Sequence, residues 1–275
     1  MVLQFGIQSI HTLRNRIRTG SRMLATQRVN TINGNMYIHS DDPTIGRSLK
    51  HYGEYCQPEV DLIIQYTDRK SFVLDIGANI GTHCIPVSKH VKRVVAFEPD
   101  EHNFDLLVKN CAETGCKNIT TNRMALGHDT YHGGTRFDYG KTKMSSGTDV
   151  IVTALDNIKG FPSVDFIKID VEGMEPEVLE GASGTISYYQ PHLLIEMQEE
   201  NNYQTVFDFL AKHQYNVYWY PVATYNPRNH KNNTNDVFGG GHGVLNWFAT
   251  QQTAQLESVL DGSDTIEKLV KRNGS

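Results

Sequence analysis

Two apolar spacings alternate along this chain. Short apolar runs recur at Phe72-Val73-Leu74, Val94-Val95-Ala96-Phe97, Phe166-Ile167-Lys168-Ile169, Leu193-Leu194-Ile195, and over 217–220 and 244–248. They are too short for helices and are bounded by turn residues, so they read as strands, with a weaker one at 118–121. Between them the apolar spacing becomes helical. Val60, Ile63 and Ile64 share one face over 58–67. Phe104, Leu107 and Val108 do so after Pro99-Asp100, and a further helix covers 203–213. Helices are also expected over 80–90, where Pro86 predicts a kink or a shifted boundary, and from Pro176 onward. Residues 34–46 suggest a short strand and a turn. The polar, glycine-bearing stretch 127–149 reads as a loop or hairpin before a short strand at 150–152.

Strands alternating with helices imply a mostly parallel sheet covered on both faces. The last two strands are joined by a polar loop, 224–243, without a helix, so they form an antiparallel pair. The expected fold is α/β: a seven-stranded, doubly wound, Rossmann-like sheet with a reversed last strand. Residues 34–250 make one domain. Residues 1–33 are a basic helical extension, and 251–275 a tail carrying a surface helix.

The net charge of −5 argues against a general nucleic-acid binder. It is unevenly spread. Residues 1–40 hold five arginines and no acid. Ile10, Leu13, Ile17 and Leu24 fall on one helical face there, which suits either peripheral contact with an anionic membrane or packing on the domain. No apolar run is long enough to span a bilayer. Cys56, Cys84, Cys111 and Cys116 show no paired CxxC or metal spacing and read as reduced thiols, so a cytoplasmic location is expected.

The most informative stretch is Asp75-Ile-Gly-Ala-Asn-Ile-Gly81, directly after the first strand. The second strand ends on Glu98, about 20 residues after the first glycine. A strand, a glycine turn, a helix and an acid-tipped strand form a nucleotide-binding unit. The glycines admit the ligand to the backbone, and the acid accepts hydrogen bonds from ribose hydroxyls. A dinucleotide site carries GxGxxG, whereas only Gly77 and Gly81 are present, and Asp75 would repel a pyrophosphate. The carboxylate suits a donor with a cationic amino-acid end, such as S-adenosylmethionine, over NAD.

Ligands of open α/β sheets sit beyond the carboxyl ends of the strands. Those ends carry Asp75, Glu98, Asp170 and Glu196, with Glu172 close behind. Capping explains single acids. An edge with this many marks a candidate site.

Phe166-Ile-Lys-Ile-Asp-Val-Glu-Gly173, followed by Met-Glu-Pro-Glu-Val-Leu-Glu-Gly-Ala182, resembles the hallmark segment of the FkbM family of methyltransferases. Val73-Leu-Asp-Ile-Gly-Ala-Asn-Ile-Gly-Thr82 and Ala96-Phe-Glu-Pro99 resemble its cofactor motifs. Ala125-Leu-Gly127 and Pro191-His-Leu-Leu-Ile-Glu196 resemble two further segments, and the likeness covers roughly 35–250. It implies a class I methyltransferase fold, S-adenosyl-L-methionine as cofactor, and methylation of a hydroxyl on a sugar or other small molecule. By the same analogy Asp75, Gly77 and Gly81 flank the methionine end of the cofactor, with help from Asn79. Glu98 holds the ribose, Met124 and Ala125 line the adenine, and Tyr52 and Glu54 close over the donor.

Methyl transfer needs an acceptor oxygen held in line and a general base beside it. Asp170 is the first candidate, and Glu172 and Glu196 serve either as base or to orient the acceptor. His83, after the glycine loop, is a further candidate base. Lys168 points away from Ile169 and either reaches the site or pairs with an acid. The acids' spacing alone does not require a metal. In the loop and just before it, Trp219, Tyr225, Asn226 and Asn229 offer rings to stack on a sugar and amides to read its hydroxyls. Val171-Glu172 stands where amino-group methyltransferases of bases carry Asn/Asp-Pro-Pro-Tyr/Phe, which lowers the case for a nucleic-acid substrate. The leading expectation is an O-methyltransferase with a saccharide or small-molecule acceptor. The alternatives are an NAD-dependent oxidoreductase and a non-catalytic cofactor-binding module.

Overall fold

The computed structural model describes residues 25–138, 141–252 and 268–269. Its centre is a sheet whose parallel part contains β3 (Phe72–Ile76), β4 (Arg93–Phe97), β5 (Ile119–Asn122), β9 (Phe166–Ile169) and β10 (His192–Glu196). β11 (Asn216–Ala223) and β12 (Gly243–Thr250) complete the expected seven, and a two-residue strand, β13 (Lys268–Leu269), adds to the edge. The spatial order is β13-β11-β12-β10-β9-β3-β4-β5. Pairings from β5 to β10 are parallel, and β12 runs antiparallel to both β10 and β11. This is the class I methyltransferase arrangement, with the last long strand reversed and inserted.

Alternate residues of each strand go to opposite faces. Val73, Phe166, Leu194 and Phe248 join one apolar layer beneath α2 (Gln57–Gln65), α3 (Cys84–Ser88) and α4 (Glu101–Glu113). Leu74, Ile167, Leu193 and Trp247 join the other, beneath α5 (Glu175–Gly181), α6 (Ser183–Tyr189) and α7 (Tyr203–Lys212). The unbroken apolar runs follow from this double covering.

Some boundaries differ from the sequence reading. The helix expected over 80–90 is reduced to α3, with Pro86 in its first turn, where no intrahelical N–H is needed. Residues 77–83 stay in a loop with positive φ at Gly77, Asn79 and Gly81. The helical extension expected over 1–33 lies outside the described residues up to Leu24. Its end is strand instead: β1 (Thr26–Thr31) pairs antiparallel with β2 (Gly34–His39). Buried Asn110 ties this hairpin to α4, accepting from Tyr37 N at 2.6 Å and donating to Tyr37 O at 3.0 Å. The tail expected to be helical over 254–272 lies outside the described residues except for 268–269, which are strand. The excursion after β5 is a three-stranded sheet of β6 (Ala125–Leu126), β7 (Tyr131–Asp138) and β8 (Lys141–Thr153), with a bulge at Gly133/Gly134. Among the described residues no helix is long and apolar enough to cross a membrane.

Candidate active site

The ends of β3, β4, β9 and β10 open into one pocket of about 790 Å³, its mouth included. The loop after β3 is pinned to β4 by the amides of Gly77 and Ala78, which both donate to Phe97 O at 2.9 Å. Asn79, held at φ 49°, donates its backbone N–H to Glu98 Oε2 at 2.9 Å, and Asp100 N donates to Oε1 at 3.0 Å. Both amides favour the charged carboxylate. Burial opposes them and wins, pushing Glu98 from its ordinary 4.5 up to about 8.

The β9 end supplies Asp170, Val171 and Glu172. Glu172 has φ 54° and Gly173 φ 103°, so this second loop also holds an unusual backbone beside the pocket. Asp170 Oδ2 accepts from Lys168 Nζ at 3.2 Å. At the β10 end Gln198 Nε2 donates to Glu196 Oε1 at 3.0 Å. Burial raises the buried Asp42, from the turn before α1 (Ile45–His51), above the usual carboxylate range. Among the described residues five carboxyl side chains therefore line the pocket, at positions 42, 98, 170, 172 and 196, and no Lys, Arg or His does so.

Of the positions singled out from sequence, Gly77, Asn79, Glu98, Met124, Ala125, Asp170, Glu172 and Glu196 converge on this pocket. The others lie elsewhere. Asp75 sits below it, fully buried, and burial raises its carboxyl against the pull of Lys168, whose Nζ is 4.0 Å from Oδ1. Gly81 packs against Ile85 and Leu107. His83 faces inward, with Nε2 2.9 Å from Glu59 Oε2. Trp219 packs edge-on to Tyr203 and Trp247 within the core layer.

Tyr52, Glu54, Tyr225, Asn226 and Asn229 form a clamp between the start of the domain and the 224–242 loop. Glu54 accepts from Asn226 Nδ2 and His230 N, both at 2.7 Å. Tyr52 hydroxyl accepts from Val237 N and donates to Asn235 O, and its ring meets Tyr225 at 5.4 Å. Asn229 Nδ2 donates to the carbonyls of Asn226 and Asn233. The amides read as sugar ligands are thus already engaged, Asn226 by Glu54 and Asn229 by carbonyls of its own loop.

Sequence reasoning missed Asp42, Thr44, Ile45, Tyr55, Met144 and Met174 in the wall. Tyr55 immediately follows the flagged Glu54, and Met174 lies inside the hallmark segment. Met144 reaches the pocket through the β7–β8 hairpin, for which the chain offers no local signal.

The description "Methyltransferase FkbM domain" matches residues 75–217. A hexuronic acid methyltransferase, AglP, from Haloferax volcanii is 29% identical over 143 residues, covering 47% of this chain and 57% of that protein. The chain thus spans little more than half the length of this curated relative. Among solved structures, methyltransferase FkbM from Methylobacillus flagellatus KT is 21% identical with a TM-score of 0.46, covering 66% of this chain and 44% of that one. A precorrin-6y C5,15-methyltransferase from Geobacter metallireducens is 15% identical with a TM-score of 0.46, covering 70% and 87%.

Proposed function

The chain belongs to the FkbM methyltransferase family, and on that premise we propose that it is an S-adenosylmethionine-dependent O-methyltransferase acting on a sugar hydroxyl, with a saccharide as the acceptor class. The observation that carries the reading is the acid-lined pocket in which Gly77, Asn79 and Glu98 meet Asp170 and Glu196.

The residues fit the donor. Glu98 presents a carboxylate edge, already oriented by two amides, to ribose hydroxyls. Met124, Ala125, Leu126 and Phe97 give an apolar wall for a purine. The acids favour a cationic sulfonium and ammonium, and the same acids would repel the pyrophosphate of NAD. When bound, the donor supplies an electrophilic methyl group. Asp170 accepts the proton of the acceptor hydroxyl. Glu172 and Glu196 accept hydrogen bonds from neighbouring hydroxyls and hold the oxygen in line. The hexuronic acid named for the relative supports the acceptor class.

The test is incubation with labelled donor and a panel of uronate oligosaccharides, neutral oligosaccharides and nucleotide sugars. The expected result is label in an alkali-stable ether on a saccharide of the panel. Asp170→Asn should lower kcat by about 10²- to 10⁴-fold while donor affinity stays within about threefold. Label in a methyl ester or an amine product would overturn methylation of a hydroxyl, and no binding of S-adenosylhomocysteine by calorimetry would overturn the cofactor assignment.

A further inference from the structure

A buried polar cluster interrupts the apolar layer beneath α2 and α3. Val73 and Asp75, Phe166 and Lys168, Leu194 and Glu196, and Phe248 and Asn246 share that face by strand alternation. The second member of each pair is polar, and these members are neighbours across the sheet. Asp75 is in register with Lys168, Lys168 with Leu194, and Glu196 with Asn246. Glu59 of α2 closes the cluster from above, accepting from Asn246 Nδ2 at 3.0 Å and meeting His83 at 2.9 Å.

Lys168 lies in the middle of this arrangement. Its side chain is 3% exposed, and its Nζ is 3.2 Å from Asp170 Oδ2 and 4.0 Å from Asp75 Oδ1. Glu59 and Glu196 face it from farther away, and His83 faces Asp75. Glu98 and the Tyr55 phenol feel Asp170 from the pocket side, and Glu175 of α5 feels it as well. Burial alone would discharge a lysine. Here the surrounding carboxylates outweigh it and hold the ammonium above its ordinary pKa. Lys168 does not line the pocket, whereas Asp170 does.

We propose that Lys168 is a positioning residue for methyl transfer: its ammonium holds one oxygen of Asp170, leaving the other to face the acceptor. The proposal rests on the methyl-transfer reading of the pocket. In the step it serves, the acceptor hydroxyl loses its proton to Asp170 as its oxygen bonds to the methyl carbon, and the donor's carbon–sulfur electron pair stays on sulfur. Lys168 keeps its own proton throughout. The tether fixes the rotamer of a partly exposed side chain, and misplacing a reacting group by about 1 Å costs about 10²-fold.

The test combines Lys168→Met, Lys168→Arg, Asp170→Asn and the Lys168→Met/Asp170→Asn double variant. The readouts are S-adenosylhomocysteine affinity, kcat and KM on a methyl-accepting saccharide, and the pH–rate profile. Lys168→Met should lower kcat about 10- to 100-fold with both affinities within about threefold. The acid side of its pH–rate profile should move up by about one unit or more, and Lys168→Arg should restore most of both. On the Asp170→Asn background, Lys168→Met should change kcat less than about threefold. An equal loss on both backgrounds, or an unmoved pH profile, overturns the proposal. If Lys168→Met does not fold, the double variant, which removes both charges, is compared with Asp170→Asn alone and decides the point. A further readout needs neither substrate nor cofactor: ¹⁵N NMR of the ligand-free protein should show Lys168 Nζ still an ammonium at about pH 10.5. A neutral amine there overturns the tether. A wild type that binds S-adenosylhomocysteine yet methylates nothing in the panel defeats the acceptor reading and leaves the ammonium measurement to judge Lys168.

Discussion

The carbonyl oxygen of Asp170 lies 1.7 Å from where a Cβ on Gly77 would stand. The loops ending β3 and β9 therefore touch backbone to backbone, and this contact sets the spacing between the cofactor loop and the proposed base. Gly77 also has φ 84°, a conformation that side chains resist. Gly77→Ala should destabilise the protein by more than about 3 kcal/mol or abolish S-adenosylhomocysteine binding. Gly115→Ala is the control, with φ 73° and nothing within 4 Å. It should cost about 1 kcal/mol and leave binding intact. Thermal melts and calorimetry on both variants make the comparison, and equal effects would mean that the loop contact is unimportant.

Glu98 predicts a pH dependence with a definite sign. Its folded value, about 8, lies above the ordinary 4.5 because burial disfavours the charge. The ligand-free fold therefore holds this proton more tightly than the unfolded chain. Its stabilising contribution is complete below about pH 4.5 and is lost as pH rises through about 8. Ribose hydroxyls donate to the ionised form, so donor binding should expel the proton. S-adenosylhomocysteine affinity should rise from about pH 6 to 8 and then level off, with proton release visible in buffers of different ionisation enthalpy. Glu98→Gln should flatten this rise. A pH-independent wild type would remove Glu98 from the ribose role.

The clamp between Glu54 and the 224–242 loop predicts a loss of stability. Glu54→Ala leaves Asn226 Nδ2 and His230 N without their acceptor and should cost about 2–3 kcal/mol. Asn229→Ala should cost about 1–3 kcal/mol by releasing the carbonyls of Asn226 and Asn233. Neither should change S-adenosylhomocysteine affinity more than about threefold. An unchanged melting temperature with at least tenfold weaker donor binding would return Glu54 to the role of closing over the cofactor.

The strands were legible because each buried run is short, apolar and followed by a turn, and the tip acids follow from where those runs end. Glu98, Asp170 and Glu196 needed nothing more to be placed on one edge. Asp75 and Glu98 share a face of the sheet, yet Asp75 lies inside β3 and stays buried beneath the pocket, whereas Glu98 lies just beyond β4 and lines it. His83 and the asparagines of the late loop looked reactive because their types are. The partners of His83 and Asn226, Glu59 and Glu54, lie 24 and 172 positions away, and no local pattern records such pairings. Met144 was hidden for the same reason, since a hairpin register decides its position.

The Glu59–His83 pair carries the last prediction, because it decides whether His83 supports the fold or the chemistry. Both side chains are almost wholly buried, at 1% and 7% exposure, and Glu59 also accepts from Asn246. Removing one partner of such a pair leaves the other buried and unmatched, at about 3–5 kcal/mol, whereas the intact pair adds little over an apolar contact. Glu59→Ala should therefore be far more damaging than Glu59→Gln, which keeps an acceptor for Asn246. His83→Gln should lower the melting temperature while kcat stays within about threefold, since no face of His83 reaches the pocket wall. Chemical denaturation gives the stability ranking, and the labelled-methyl assay gives the rate. A stable His83→Gln protein with kcat reduced a hundredfold would make His83 the base and displace Asp170.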